Sequence, residues 1–181
     1  MNAPQPEDNV ALPRAEVLFE ELLRQLKPRV SHTTGVIGIV TGGVWLAERL
    51  HAALGLRVPL GTLDVSFYRD DVNEKGIKPQ VSPSQIPFEV TGRDILLVDD
   101  VLFTGRTVRA AMNELFDYGR PARIELAVLA DRGGRQLPIE ARYCGGKIEI
   151  QQGKKLMLDR ETGGALSRRL SDKRRERRAE A

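Results

Sequence analysis

The sequence predicts an α/β fold: a mostly parallel sheet flanked by helices. Short β-branched apolar runs alternate with segments whose apolar residues recur at helical spacing. The strand runs are apolar at consecutive positions, the pattern of strands covered on both faces. The chain has 181 residues, enough for one buried core and too few for two ordinary domains. Its expected organisation is a disordered N-terminus over 1–11, a folded domain over 12–158 and a basic, flexible tail over 159–181.

The elements follow in order. Residues 1–11 are polar and Pro-rich, which suits disorder. Ala15, Leu18, Phe19, Leu22, Leu23 and Leu26 keep i, i+3, i+4, i+7 spacing, so a helix is expected there. Pro13 suits its start and Pro28 its end. G-V-I-G-I-V, ending at Val40, reads as a buried strand broken by Thr41, Gly42 and Gly43. A second helix follows, with Leu46, Leu50, Ala53 and Leu54 on one face and Gly55 as its stop. Residues 58–67 read as a strand, and 69–87 as a polar loop long enough to have a function. Residues 94–98 form the strongest strand signal, with Asp99 and Asp100 at its end and a turn after them. A helix over 106–118 carries Val108, Ala111, Met112, Leu115 and Phe116 on its apolar face, and Gly119 and Pro121 stop it. Residues 124–130 are another buried strand, closed by the turn D-R-G-G-R. The short signals A-R-Y-C, K-I-E-I and K-L-M-L suggest a small subdomain at the edge.

Composition excludes several classes. No apolar run approaches the ~20 residues that span a bilayer. The N-terminus lacks the basic-then-apolar order of a secretory signal. With one cysteine, Cys144, no intrachain disulfide or Cys-based zinc site can form, and a cytoplasmic setting fits. The net charge is +3, yet residues 167–181 alone hold seven Lys/Arg against three acids. The positive charge therefore describes a tail, which can touch an anionic surface or be a solvated terminus.

The chemistry concentrates at strand ends, where open α/β sheets bind ligands. Two adjacent carboxylates are costly unless a cation or ligand hydroxyls satisfy them. Thr104-Gly105-Arg106-Thr107 opens a helix, and its backbone N–H groups, hydroxyls and dipole make a phosphate site. Carboxylates followed at once by an anion cradle match a ribose 5-phosphate. A response-regulator receiver would carry its acid pair near the N-terminus, and a Walker loop needs G-x-x-x-x-G-K-[ST], absent here.

I-L-L-V-D-D-V-L-F-T-G-R-T, residues 95–107, resembles the phosphoribosyl-pyrophosphate (PRPP) signature of type I phosphoribosyltransferases. L-D-V-S-F-Y-R-D-D, D-Y-G-R-P-A-R-I-E-L-A-V-L and D-R-G-G-R-Q-L-P-I extend the resemblance to the PyrR family, over roughly 12–150. Its members are uracil phosphoribosyltransferases that also regulate pyrimidine operons through leader RNA. The resemblance implies a mostly parallel sheet with helices on both faces and a small C-terminal hood. It implies that uracil and PRPP give UMP and pyrophosphate with Mg²⁺, in a homodimer or homotetramer. By residue, Asp99 and Asp100 would hold the ribose hydroxyls, directly or through Mg²⁺. Val101, Leu102, Phe103, Thr104, Gly105, Arg106 and Thr107 would bind the 5-phosphate. Thr41, Gly42 and Gly43 would form the pyrophosphate loop. Catalytic Arg69, with Asp70 and Asp71, would begin the loop that closes over PRPP, and Asp131 and Arg132 would lie near the base.

The chain also departs from that pattern. The pyrophosphate loop reads V-T-G-G where the family has [KR]-T-R-G, so both cations are missing. Gly134 replaces a family His, and E-A-R-Y-C-G-G-K replaces a basic stretch close to R-A-D-Y-I-G-K. Phe103 stands where purine-specific relatives carry an Asp, which favours a pyrimidine. A second reading stays open: a regulator that senses UMP or PRPP and has lost turnover.

Overall fold

The computed structural model describes residues 13–65, 83–150, 154–162 and 164–172. The expected N-terminal disorder over 1–11, the loop residues Arg69, Asp70 and Asp71, and the last part of the tail lie outside the described residues.

The first helix, α1 (Ala15–Leu26), buries the six residues whose spacing predicts it. Strand β1 (Gly35–Ile39) is buried at every position. Helix α2 (Gly42–Leu54) ends at Gly55, whose φ of 61° is left-handed and whose N–H closes the last turn on Ala52 O. Strand β2 (Gly61–Leu63) follows, then β3 (Asp94–Leu102), α3 (Arg106–Asp117), β4 (Arg123–Asp131) and the short β5 (Tyr143–Cys144). These strands form a parallel sheet in the order β2-β1-β3-β4-β5. A separate antiparallel pair, β6 (Lys154–Arg160) and β7 (Leu166–Asp172), completes the described residues.

Alternation along the strands sorts the core into two layers. Val36, Leu96 and Val98 face α1 and α2, packing with Leu18, Leu22, Leu46 and Leu50. Ile37, Ile39, Ile95 and Leu97 face the other way, packing with Val108, Ala111 and Leu115 of α3. Helices therefore cover both faces, as expected. Trp45 packs against the first layer. The β6–β7 hairpin lies on that same layer through Leu156, Leu158 and Leu166. Glu16 clasps it, accepting two bonds from Arg49 at 2.8 Å and one from Leu166 N at 3.1 Å.

Four expectations need correcting. Among the described residues of the strand expected over 58–67, only Gly61–Leu63 is strand, paired with Ile37–Ile39 of β1; Ser66 and Phe67 lie outside the described residues. The strand expected to stop at Val98 runs through both aspartates to Leu102, since β4 continues beside it until Leu102 pairs with Asp131. K-I-E-I is not a strand; Lys147 makes a lone bridge to Asp131. The tail expected to be flexible from 159 is ordered at its start, because Leu166–Asp172 pairs along β6, and Leu166 is buried.

Candidate active site

The carboxyl ends of β1, β3 and β4 bring three of the expected segments together. Asp99 and Asp100 are consecutive on β3 and occupy different surroundings, as strand alternation requires. Asp99 is buried at 3% exposure, whereas Asp100 is half-buried. Backbone amides hold both carboxylates: Asp100 N donates to Asp99 Oδ1 at 3.0 Å, and Val101 N donates to Asp100 Oδ1 at 2.9 Å.

The turn after β1 lies directly on this pair. The Val40–Thr41 peptide is cis, and α2 starts at Gly42. A Cβ on Gly42 would run into the carboxylate of Asp100. A Cβ on Gly43 would lie 2.5 Å from Val98 O and 3.3 Å from Asp99 Oδ1. Glycine at both positions is what lets the helix terminus approach the acids so closely. The first N–H groups of a helix lack intrahelical partners, and its dipole is positive there.

On the other side of the acids, β3 passes through Val101 and Leu102 into the turn Phe103-Thr104-Gly105 and then α3. Gly105 is the N-cap, with φ 90°, a left-handed conformation that glycine adopts readily. Thr104 Oγ1 accepts from Arg106 N at 3.3 Å. Thr107 follows in the first turn of α3. The carboxylate pair thus lies against one helix N-terminus and is followed along the chain by a second, each suited to an anion.

The turn after β4 forms a third wall. Arg132 N donates to Leu102 O at 3.0 Å, and its guanidinium lies over the Phe103 ring, 4.0 Å from the centroid. Burial pushes the Arg132 guanidinium below its usual range, and its buried Nε has no hydrogen-bond partner. A Cβ on Gly134 would overlap the same Phe103 ring, so the aromatic ring fills the space a side chain at 134 would need. Asp131 does not present a free carboxylate: Oδ1 accepts from Gly133 N at 2.9 Å and Oδ2 from Arg135 at 2.5 Å. Burial alone would raise its pKa, but the bonds from Arg135 and Gly133 outweigh it, and the carboxyl sits below its ordinary range. Arg135 is the residue sequence reading missed; an Arg directly after two glycines in a turn was the available signal.

Cys144 is structural in its surroundings. Burial pushes its thiol up, and Sγ donates to Gly146 O at 3.3 Å. No group of three or more His, Cys, Asp or Glu able to hold a metal ion occurs among the described residues. Two carboxylates beside two anion cradles suit Mg²⁺, which binds through one or two acids and substrate phosphates rather than in an all-protein cage.

Comparison with known proteins agrees with this geometry. The phosphoribosyl transferase domain model matches residues 13–158. The bifunctional protein PyrR of Ralstonia nicotianae is 52% identical over 158 residues, covering 85% of this chain and 90% of its own. That of Pseudomonas entomophila is 46% identical over 169 residues, covering 93% and 95%. Among solved structures, a hypoxanthine phosphoribosyltransferase of Staphylococcus aureus shares the fold, with TM-score 0.61, 22% identity and 76% of each chain covered. The HGPRT-ase of Leishmania tarentolae in complex with GMP gives 0.59 at 17% identity, covering 81% of this chain and 85% of its own. With a phosphoribosyltransferase domain over most of its length and PyrR proteins as half-identical relatives, this chain belongs to the PyrR family.

Proposed function

We propose that this protein transfers the phosphoribosyl group of PRPP to uracil, releasing pyrophosphate and forming UMP, and that it also regulates pyrimidine genes by binding their leader mRNA. One observation carries the first part. The N-terminus of α2 lies against the Asp99–Asp100 pair, and the N-terminus of α3 follows that pair along the chain after the turn at 103–105. PRPP has the matching order of charge: a diphosphate at one end, a vicinal diol in the middle and a monophosphate at the other.

In this reading the N-terminus of α3, with Thr104 to Thr107, takes the 5-phosphate. Gly42 and Gly43 offer backbone N–H groups to the diphosphate. Asp99 and Asp100 hold the ribose hydroxyls, directly or through Mg²⁺. Bound Mg²⁺ would supply neutralisation of the leaving diphosphate. The bond from C1′ to the diphosphate oxygen breaks, the bond from C1′ to uracil N1 forms, and the N1 proton is lost. The centre passes through a cationic sugar, so water must be kept out. Arg69, Asp70 and Asp71 are assigned to that closing loop from the resemblance. The turn at Asp131 and Arg132 is assigned to the base, and Phe103, at the start of the phosphate loop, offers no acid to a purine. The protein would work in the cytoplasm as a homodimer or homotetramer.

The test is UMP formation from uracil and PRPP with Mg²⁺, with hypoxanthine as control and Asp99→Asn/Asp100→Asn beside the parent. Turnover with uracil alone, lost in the double variant, is the expected result. A second reading has its own observation: Val40-Thr41-Gly42-Gly43 contains no cation. PRPP or UMP binding without turnover would favour the sensing regulator over the enzyme. The RNA arm is tested by titrating leader RNA across salt; phosphate contacts demand weaker binding as salt rises.

A further inference from the structure

Arg135 spends its guanidinium inward. Nη2 pairs with Asp131 Oδ2 at 2.5 Å, and Nη1 donates to Phe103 O at 2.7 Å and Gly133 O at 3.3 Å. Nε donates to Ile139 O at 2.9 Å. Its side chain is 24% exposed. Apart from Ile139 O, the acceptors belong to two different walls of the site. Phe103 opens the phosphate loop after β3, whereas Asp131 and Gly133 belong to the turn after β4. The residues next to Arg135 repeat the tie: Gln136 N and Leu137 N donate to Thr104 O at 3.0 and 3.2 Å, and Arg106 Nε donates to Gln136 Oε1 at 3.0 Å.

We infer that Arg135 is a positioning residue that fixes the spacing between the phosphate loop over 103–107 and the turn after β4. It thereby tunes the site to a ligand holding phosphate and base on one ribose, a nucleoside 5′-monophosphate. This rests on the proposed function, which puts the phosphate at the first wall and the base at the second. Removing Arg135 loosens the loop without dismantling it, because Arg109 N still donates to Gly105 O at the start of α3. It loosens the distance between the two walls. A ligand touching one wall tolerates that; a ligand spanning both does not. Lysine cannot replace the planar fork, which serves several acceptors in fixed directions.

The experiment uses the full chain with Arg135→Gln and Arg135→Lys. Hydrogen exchange without ligand reads the tie directly. Amides over 103–107 should exchange about tenfold faster in Arg135→Gln, with the interior of α3 unchanged. Calorimetric titration reads the consequence: UMP affinity should fall by about tenfold or more and ribose 5-phosphate affinity by no more than about threefold. Arg135→Lys should fall between, and it supplies the same readings if the Gln variant does not fold. Unchanged exchange over 103–107, or equal losses for UMP and ribose 5-phosphate, would overturn the inference. If the parent protein does not bind UMP at all, the proposed function fails, while the exchange measurement still decides the role of Arg135.

Discussion

Gly42→Ala and Gly43→Ala add the same methyl one residue apart and should have opposite consequences. At Gly43 the new Cβ would meet Val98 O at 2.5 Å and Asp99 Cα at 3.0 Å. Both are backbone atoms of β3, which is bonded to β1 on one side and β4 on the other. Neither can yield without opening the sheet, so the loop must retreat. Overpacking of this kind costs about 1–3 kcal/mol. Retreat also weakens the bond from Val40 N to Leu63 O, 2.9 Å long, worth about 1 kcal/mol. A total of about 2–4 kcal/mol lowers the melting temperature of a chain this size by roughly 5–15 °C. At Gly42 the obstacle is the Asp100 side chain: its carboxylate can rotate away, and its Cβ, 3.0 Å off, needs only a small shift. Rotation forfeits the bond from Val101 N, about 1.5 kcal/mol for a charged acceptor, while Ala in a helix returns up to ~1 kcal/mol over Gly. Net stability should fall by about 0.5–1.5 kcal/mol, less than at Gly43. The acid pair, however, is broken, and Mg²⁺-dependent PRPP binding should fall about tenfold, since a displaced carboxylate removes a charge-assisted contact. Urea titration and PRPP calorimetry with and without Mg²⁺ measure the two halves. Equal destabilisation by both variants, or full PRPP affinity in Gly42→Ala, would refute the reasoning.

Other outcomes follow from the same structure. Arg49 beside Glu16 holds that carboxyl below its ordinary range. A depressed carboxylate contributes its full stability above the unfolded pKa of 4.5 and loses it as pH falls through the lower folded value. Glu16→Gln should therefore lower stability at neutral pH by about 1 kcal/mol and shrink that loss below pH ~4.5, read by urea titration from pH 3 to pH 7. Gly134→Ala puts a methyl into the Phe103 ring at φ 71°, so the melting point should drop, by about 1–3 kcal/mol of stability, and the near-UV aromatic signal should change. Ending the chain at Asp172 removes five Lys/Arg; leader-RNA affinity should fall and the log–log salt slope flatten by up to about 3. An unchanged slope would remove the tail from the RNA interface.

The legible parts of the sequence were those where one physical requirement dominates. Continuous burial along β1 and along β3 from Ile95 to Asp99, and the helical period of α1, are set by the core, and the sheet and its helices could be read from them. Asp99 and Asp100 misled the strand boundary, because adjacent acids look like a strand end; pairing with β4 to the level of Asp131 carries them. β7 was hidden for the opposite reason. Its basic residues read as a solvated terminus, yet strand pairing needs only backbone, and one buried Leu166 with the Glu16 clasp anchors its start. The glycines at 42 and 43 were legible as a break and not as a close approach, since the atoms they admit come from residues more than fifty positions away. Arg135 was legible only in part: its place after two glycines marks a turn, but its acceptor Phe103 O lies 32 positions earlier.

The missing cations of the loop after β1 and the closeness of that loop to Asp100 are one fact seen twice. A side chain at position 42 has to leave along the direction Asp100 occupies, so an arginine there requires the acid to stand elsewhere. With glycine, the acid stays against the helix terminus, where the positive end of the α2 dipole lowers the cost of two adjacent carboxylates. In the proposed reaction the diphosphate would meet backbone N–H groups and no guanidinium from this loop. Neutral donors contribute less per bond than charged ones. In the proposed reaction, more of the leaving group's charge therefore falls to Mg²⁺. The rate should then depend on Mg²⁺ more steeply than in a phosphoribosyltransferase whose loop carries its own cation. Parallel Mg²⁺ titrations of PRPP turnover in this protein and such a relative compare the two, and equal dependence would mean that a cation from elsewhere in the chain reaches the diphosphate.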